Sequence, residues 1–245
     1  MSHSQLAAEF AAGNEQVTAL LYGRLSFKQA MKPAKVKILG CMDDGTDEAL
    51  SRAAGSLILL PLDDAVRIVE EMKRELGLEL IGYHGSEDDG GCGAAAKYLH
   101  DIRHIESPTL EQIIEIAKWS SERLAKKTGL KAMEMVLDRS HHHVARAVYY
   151  DGTGKMTSTK GLPRGFVVSR RFLPRHYAQV EVATAVSIAM AHGYGDLFCD
   201  PHPIALVAIG KDGNQTAELR EELEHSLTLM TEQERAIVRI VSVAA

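Results

Sequence analysis

Residues 63–84, which read DDAVRIVEEMKRELGLELIGYH, decide the fold class of this 245-residue chain. The apolar residues of the first part recur at helical spacing: Ala65, Val66, Val69, Met72 and Leu76. This pattern predicts an amphipathic helix over 63–76 that ends at Gly77. The apolar run 78–83 then predicts a strand, with His84 at its end. A helix followed directly by a buried strand is typical of α/β proteins.

Similar patterns flank this stretch on both sides. Residues 36–41 and 57–60 are short apolar runs that predict strands, and the first delivers Cys41 to the strand end. Residues 46–54 predict a helix with acidic side chains in its first turn. Cys92 and the alanines after it predict the start of a further helix. Strands that alternate with helices predict a mostly parallel β-sheet flanked by helices.

The rest of the chain continues the alternation. Helices are predicted over 4–21 (interrupted at Gly13-Asn14), 109–127, 180–192 and 217–229, and strands over 133–137, 144–150, 204–209 and 237–243, the last at a sheet edge. There is no low-complexity linker and no internal repeat. We therefore expect a single α/β domain over 1–245, with an N-terminal helical arm (1–32), a core (36–156) and a C-terminal part (157–245).

Composition limits the functions that need to be considered. The net charge of −5 gives no generally basic surface, which argues against nucleic acid as a partner. No apolar run reaches the roughly 20 residues that cross a bilayer, and no signal peptide is visible. Three cysteines are too few for a disulfide framework and favour a cytoplasmic protein that uses them for metal or redox chemistry. The alternative is that they are small buried apolar residues.

Three residues with soft or borderline metal-binding side chains occur at corresponding places in this pattern. Cys41 ends the first predicted strand, His84 ends the strand after the amphipathic helix, and Cys92 opens the next helix. The carboxyl ends of parallel strands line one crevice, so these residues can meet there. Two thiolates and an imidazole suit zinc and leave a fourth position open. Taken singly, each could instead be a core cysteine or a turn histidine.

The same residues carry a family resemblance. The chain reads Ile38-Leu39-Gly40-Cys41-Met42-Asp43-Asp44-Gly45 and later Ile81-Gly82-Tyr83-His84, followed by Cys92-Gly93. This resembles the β-class carbonic anhydrases, in which Cys-x-Asp-x-Arg and His-x-x-Cys-Gly follow two strands. The turn Tyr149-Tyr150-Asp151-Gly152-Thr153-Gly154-Lys155 is also similar to that family. The resemblance covers about residues 36–156.

The chain departs from the family pattern in two places. Seven residues separate His84 from Cys92, which is closer to the expanded loop of cadmium-type carbonic anhydrases. Gly45 stands where the family has an arginine that keeps the aspartate off the metal. Asp43 can therefore orient a water on the metal, with Arg52 or Arg146 replacing that arginine, or it can be the fourth ligand and close the site.

The resemblance implies a zinc enzyme, a lyase of the carbonate dehydratase type. Hydroxide on the metal would attack carbon dioxide or a small neutral analogue such as carbonyl sulfide. Cadmium or cobalt is the expected substitute for zinc, and Asp43 the catalytic residue. The family also implies a homodimer or higher homo-oligomer with the N-terminal helices as arms. The rival interpretations are a different reaction at this site and a non-catalytic metal-binding protein.

Other polar groups have simpler interpretations that we favour. An acidic set near the crevice (Asp44, Asp47, Glu87, Asp88, Asp89) is typical of loops and helix caps, although it can also form a second site for a harder metal. For His141–His143, a surface or structural role is favoured over a proton shuttle. For the arginine cluster (Arg164, Arg170, Arg171, Arg175), a solvated surface is favoured over an anion site. For Cys199 with His202, a structural turn is favoured over a second metal site.

Overall fold

The computed structural model describes residues 3–32, 38–40, 50–52, 55–84, 92–135, 145–190 and 203–245. The chain divides into two compact units, which we describe separately. Residues 34–138 form the inserted unit, and residues 1–33 together with 139–245 form the outer unit. The predicted single-domain organisation is not tested by this division and stays a prediction.

The inserted unit contains four strands and three α-helices among its described residues. The strands are β1 (Ile38–Gly40), β2 (Leu50–Arg52), β3 (Leu80–His84) and β4 (Lys131–Met135), and the helices are α2 (Leu62–Leu76), α3 (Gly93–Asp101) and α4 (Leu110–Thr128). The strands lie in the order β2-β1-β3-β4, and every pair is parallel. Helix α4 packs on β3 and β4, and α2 and α3 pack against α4.

Local signals in the sequence explain where α2 and α4 begin and end. Asp63 and Asp64 lie in the first turn of α2, and Gly77 ends it in the left-handed conformation with φ 70°. The hydroxyl of Thr109 and the side chain of Gln112 form a capping box at the start of α4, and Gly129 ends that helix with φ 67°. The predicted helices over 63–76 and 109–127 are confirmed to within a residue or two.

Two predictions in this unit are wrong. The run 57–60 lies mostly in a 3-10 helix (Gly55–Leu59), and residues 50–52, predicted to be helical, form strand β2. Leu57 and Leu60 are buried whereas Ile58 and Leu59 are half-buried, which is the three-residue period of a helical turn. A run of four apolar residues is too short to distinguish a strand from a helical turn by its pattern.

The outer unit has its own parallel sheet. Its strands are β5 (Ala147–Asp151), β6 (Gly165–Val168), β7 (Ile204–Gly210) and β8 (Val238–Ala244), in the order β6-β5-β7-β8. Its helices are α1 (His3–Leu21), α5 (Arg175–Ala189), α6 (Gly213–Ser226) and α7 (Glu232–Ile237). Strand β8 confirms the predicted edge strand. Strand β6 was not predicted.

The outer sheet is covered on both faces, as expected for a parallel sheet. One face, with Tyr149 and Val207, packs against Val17 and Leu20 of α1. Helices α5 and α6 pack against the sheet as well, α6 mainly on β7 and β8. The predicted arm thus packs on the outer sheet of its own chain. Its helix is continuous through Gly13-Asn14, where an interruption was predicted.

The α/β class with mostly parallel strands is confirmed, but the strands form two sheets. Both sheets place the second strand on one side of the first and the third and fourth on the other side. The strand order reverses between the first and third strands, which are direct neighbours. Open α/β sheets bind ligands at the carboxyl ends of such strands, the topological switch point. Within the described residues, no helix combines the length and apolar character needed to span a membrane.

Candidate metal centre

Two of the three predicted metal ligands, His84 and Cys92, lie on elements of the inserted unit that the structure describes. Strands β1 and β3 are parallel neighbours, with Ile38 opposite Leu80 and Leu39 opposite Ile81, so their carboxyl ends lie at the same edge. His84 is the last residue of β3, as predicted. Cys41 follows Gly40, the last residue of β1, and lies outside the described residues, as do Asp43 and Gly45.

Cys92 lies at the N-terminus of α3, as predicted. Its backbone is extended, with φ −79° and ψ 116°, and its carbonyl accepts the N–H of Ala96 at 3.0 Å. The residue is 8% exposed and packs in a cluster with Ala95, Leu99 and Ala117. A helix N-terminus favours the thiolate form of a cysteine, which is the form that binds a metal.

A cavity of about 60 Å³ lies beside Cys92. Its walls are the ends of β1 and β3, the 3-10 helix, the start of α3 and one side of α4: Leu39, Gly40, Leu57, Ile58, Ile81, Gly82, Tyr83, Cys92, Ala95, Ala117, Ser120, Ser121 and Leu124. This volume holds only a few atoms. Of the three predicted ligands, Cys92 lies in the wall of the cavity, together with Gly40 and Tyr83, which precede the other two in the chain.

The donor set fits zinc. Two cysteines and a histidine are the ligands of many zinc sites, and Cys92 is placed with a buried sulfur at the end of a helix. Among the described residues, no group of three histidine, cysteine or acidic side chains could hold a metal. Cys41 lies outside these described residues.

Arg52 and Arg146 are the two candidates to replace the arginine of the carbonic anhydrase pattern, and they lie in different units. Arg52 ends strand β2. Arg146 belongs to the outer unit and is fully buried. Its Nε donates to Asn14 Oδ1 at 3.1 Å, and a terminal nitrogen donates to the carbonyl of Ala145 at 2.6 Å. Arg146 therefore holds α1 against the start of β5.

Several other groups named from the sequence lie outside the described residues. They are the acidic set, His141–His143, and Cys199 with His202. The arginine cluster is described, and Arg170 is not a solvated surface charge. Its guanidinium makes two hydrogen bonds to the Glu222 carboxylate, at 2.5 and 2.8 Å, and Tyr150 donates to the same carboxylate at 2.6 Å.

This tyrosine–glutamate–arginine network was missed in the sequence, because its members lie 52 and 72 residues apart and no local pattern connects them. Burial opposes ionisation of Glu222, but the hydrogen bonds from Arg170 and Tyr150 outweigh it and lower the pKa of the carboxyl. Burial and the neighbouring carboxylate raise the pKa of Tyr150. The network connects β5 and the residues after β6 to α6. Because Arg170 is paired with Glu222, it is not available to bind an anion.

Two cavity residues were also missed in the sequence. Ser120 and Ser121 lie between Ala117 and Leu124 on the side of α4 that faces the cavity. Polar residues on the apolar side of an amphipathic helix are a signal that the spacing alone could have given.

No protein-family model matches the chain, and neither a curated protein nor a solved structure does.

Proposed function

We propose that this protein is a zinc enzyme of the carbonic anhydrase type, which adds water to carbon dioxide or a small neutral analogue such as carbonyl sulfide. Cys41, His84 and Cys92 are the proposed metal ligands. The observation that supports this most is the small cavity at the shared edge of β1 and β3, with Cys92 in its wall and the neighbours of the other two ligands around it.

The residues around the cavity would bind the small substrate and exclude ions. When bound, zinc supplies the positive charge that lets water ionise near neutral pH. Leu39, Leu57 and Ile81 give the cavity an apolar wall, which accepts an uncharged molecule and disfavours an ion. The volume of about 60 Å³ suits a molecule of a few atoms.

Asp43 decides between two forms of the proposal. As a hydrogen-bond acceptor, it would orient the attacking water. As a fourth ligand, it would close the site, and the protein would bind metal without turnover in that state. The closed form is possible because Gly45 stands in place of the arginine that would keep Asp43 off the metal.

The test is carbon dioxide hydration by zinc-loaded protein, followed by stopped flow at several pH values, together with the zinc content. The proposal predicts one zinc per chain and a rate that rises with pH. Cys92→Ser should lose both, whereas Cys199→Ser, which changes the cysteine outside the ligand set, should retain both. Equal zinc content in the two variants would contradict the assignment.

Asp43→Ala separates the open site from the closed one. Activity that falls in this variant supports an orienting role for Asp43. Activity that appears only in the variant supports a closed shell in the natural protein. Zinc-loaded protein without activity in either form would reject the carbonic anhydrase proposal but not the metal site.

A further inference from the structure

The cavity beside Cys92 has a polar end formed by α4. Ser120 and Ser121 are both half-buried and line the cavity with their neighbours Ala117 and Leu124. The other side chains in the wall are apolar, apart from Cys92 and Tyr83 at the strand edge. A molecule in the cavity would therefore lie among an apolar wall, Cys92 at the start of α3, and the two serines of α4.

These hydroxyls are not used by the protein in the usual way. A serine or threonine inside a helix often donates to the carbonyl four residues before it. Thr18, Thr128 and Thr184 do so, with distances of 2.8–2.9 Å. Neither the Ser120 hydroxyl nor the Ser121 hydroxyl makes a hydrogen bond with any residue in the described part of the chain. Both hydroxyls are therefore available to what occupies the cavity.

A half-buried hydroxyl that meets an apolar molecule loses hydrogen bonds to water and gains none. The same hydroxyl is well matched to a molecule that offers an oxygen. Oxygen is a good hydrogen-bond acceptor and thioether-like sulfur a weak one. Two adjacent donors in so small a space thus distinguish oxygen-ended from sulfur-ended molecules of the same shape.

We infer that Ser120 and Ser121 are substrate-binding residues, whose hydroxyls donate to an oxygen of a small neutral molecule in this cavity. The cavity then prefers carbon dioxide and carbonyl sulfide, which carry oxygen, over carbon disulfide, which does not. As a statement about substrate class, this rests on the proposed function. As a statement about binding, it can be tested without the metal.

The binding test uses metal-free full-length protein, with infrared spectroscopy of added ¹³C-labelled carbon dioxide. The natural protein should show a bound band displaced from that of carbon dioxide in water. In the double variant Ser120→Ala/Ser121→Ala, the displacement should disappear, and the dissociation constant should rise about fivefold for each hydroxyl removed. The control is Ser187→Ala, an exposed helical serine of the outer unit, which should leave band and affinity unchanged.

The kinetic test uses the zinc-loaded protein. The ratio of kcat/KM for carbonyl sulfide to that for carbon disulfide should fall at least fivefold in the double variant, while the value for carbon disulfide stays within about twofold. Ser121→Thr, which keeps a hydroxyl, should retain much of the ratio. A structural defect would instead lower both values together. If the double variant does not fold, the single variants carry the same comparison with smaller effects.

The outcomes separate this inference from the proposed function. A displaced band that depends on the serines, in a protein that turns nothing over, would uphold the binding role and reject the enzymatic one. Turnover with an unchanged band and an unchanged substrate ratio in the double variant would overturn the inference alone. Absence of any bound carbon dioxide band in the natural protein would also overturn it.

Discussion

The two sheets have the same strand order and differ at the edge where that order reverses. In the inserted unit, the ends of β1 and β3 border a cavity, and a buried cysteine lies in its wall. In the outer unit, the corresponding ends of β5 and β7 are joined by hydrogen bonds of the protein itself. The N–H of Gly152 donates to the Ile209 carbonyl at 2.9 Å, and the Gln215 side chain donates to the Gly152 carbonyl at 3.3 Å.

Asp151 completes the closure of the outer edge. Its carboxylate accepts from the N–H and the hydroxyl of Thr153, at 2.8 and 2.6 Å, and from the N–H of Met156 at 2.9 Å. The comparison teaches that strand order provides a place for a ligand but not the ligand site. In the outer unit, the residues that follow the strands fill this place with their own hydrogen bonds.

The largest expected effect comes from opening the outer edge. Asp151→Ala removes the acceptor of three buried donors, which should lower the free energy of unfolding by about 3 kcal/mol. Urea denaturation measures this loss. Asp64→Ala, at a half-exposed carboxylate that pairs with Arg67 on the surface, should change stability by less than about 0.5 kcal/mol. Equal losses in the two variants would show that the turn does not depend on Asp151.

The network behind β5 should give a smaller, pH-dependent effect. Glu222→Gln weakens the bonds from Arg170 and Tyr150 and should cost about 1.5 kcal/mol at pH 7. Because the folded pKa of Glu222 is lowered, its stabilisation is complete above the ordinary glutamate pKa of about 4.3 and is lost as the pH falls through the lower folded value.

Urea denaturation of both proteins between neutral and acidic pH checks this prediction. The difference between natural protein and variant should shrink with acidification. A constant difference across that range would contradict the ionised pairing.

Filling the cavity should separate stability from function. Ala117→Val places two methyl groups toward the cavity beside Cys92, so the stability should change by no more than about 1 kcal/mol while carbon dioxide hydration is lost. Ala125→Val is the matched control on the same helix, because Ala125 is also buried but does not line the cavity. It should cost about 1–3 kcal/mol and leave hydration intact. The reverse pattern would place the substrate elsewhere.

The smallest effect compares a glycine at each edge. A methyl group on Gly93 would meet no atom of the described residues within 4 Å, apart from its chain neighbours and the backbone of its own helix, so Gly93→Ala should stabilise the protein by about 0.5 kcal/mol. Gly154 has φ +72°, and a methyl group there would lie 3.0 Å from Arg171 and Phe172. Gly154→Ala should therefore destabilise the protein. Thermal unfolding of both variants measures the change in stability. A loss of stability in Gly93→Ala would mean that a side chain at this position meets neighbouring atoms.

Elements with strong local signals could be predicted from the sequence. Helix α2 has acidic residues in its first turn, an apolar side and Gly77 at its end, and each signal concerns neighbouring residues. Strand β6 has no such signal, because its three apolar residues lie between Arg164 and Arg170, and its burial depends on β5, which pairs with it from 18 residues away. The division into two units likewise depends on distant contacts.

The candidate site was predicted only in its ligands. Local patterns predict His84 at the end of β3 and Cys92 at the start of α3, and both positions are confirmed. The cavity beside Cys92 needs α4, whose serines line it only once the helix packs on β3. That packing joins residues that are far apart in the sequence, so the local pattern can mark Ser120 and Ser121 as polar residues on an apolar side of a helix but cannot predict the cavity that they line.

The central claim is that Cys41, His84 and Cys92 bind one zinc ion. X-ray absorption spectroscopy of the zinc-loaded full chain tests it most directly. We predict two sulfur atoms at about 2.3 Å and a histidine nitrogen at about 2.0–2.1 Å from the metal, and loss of the bound zinc in Cys92→Ser. A zinc shell without sulfur, or one that Cys92→Ser leaves unchanged, would contradict the account.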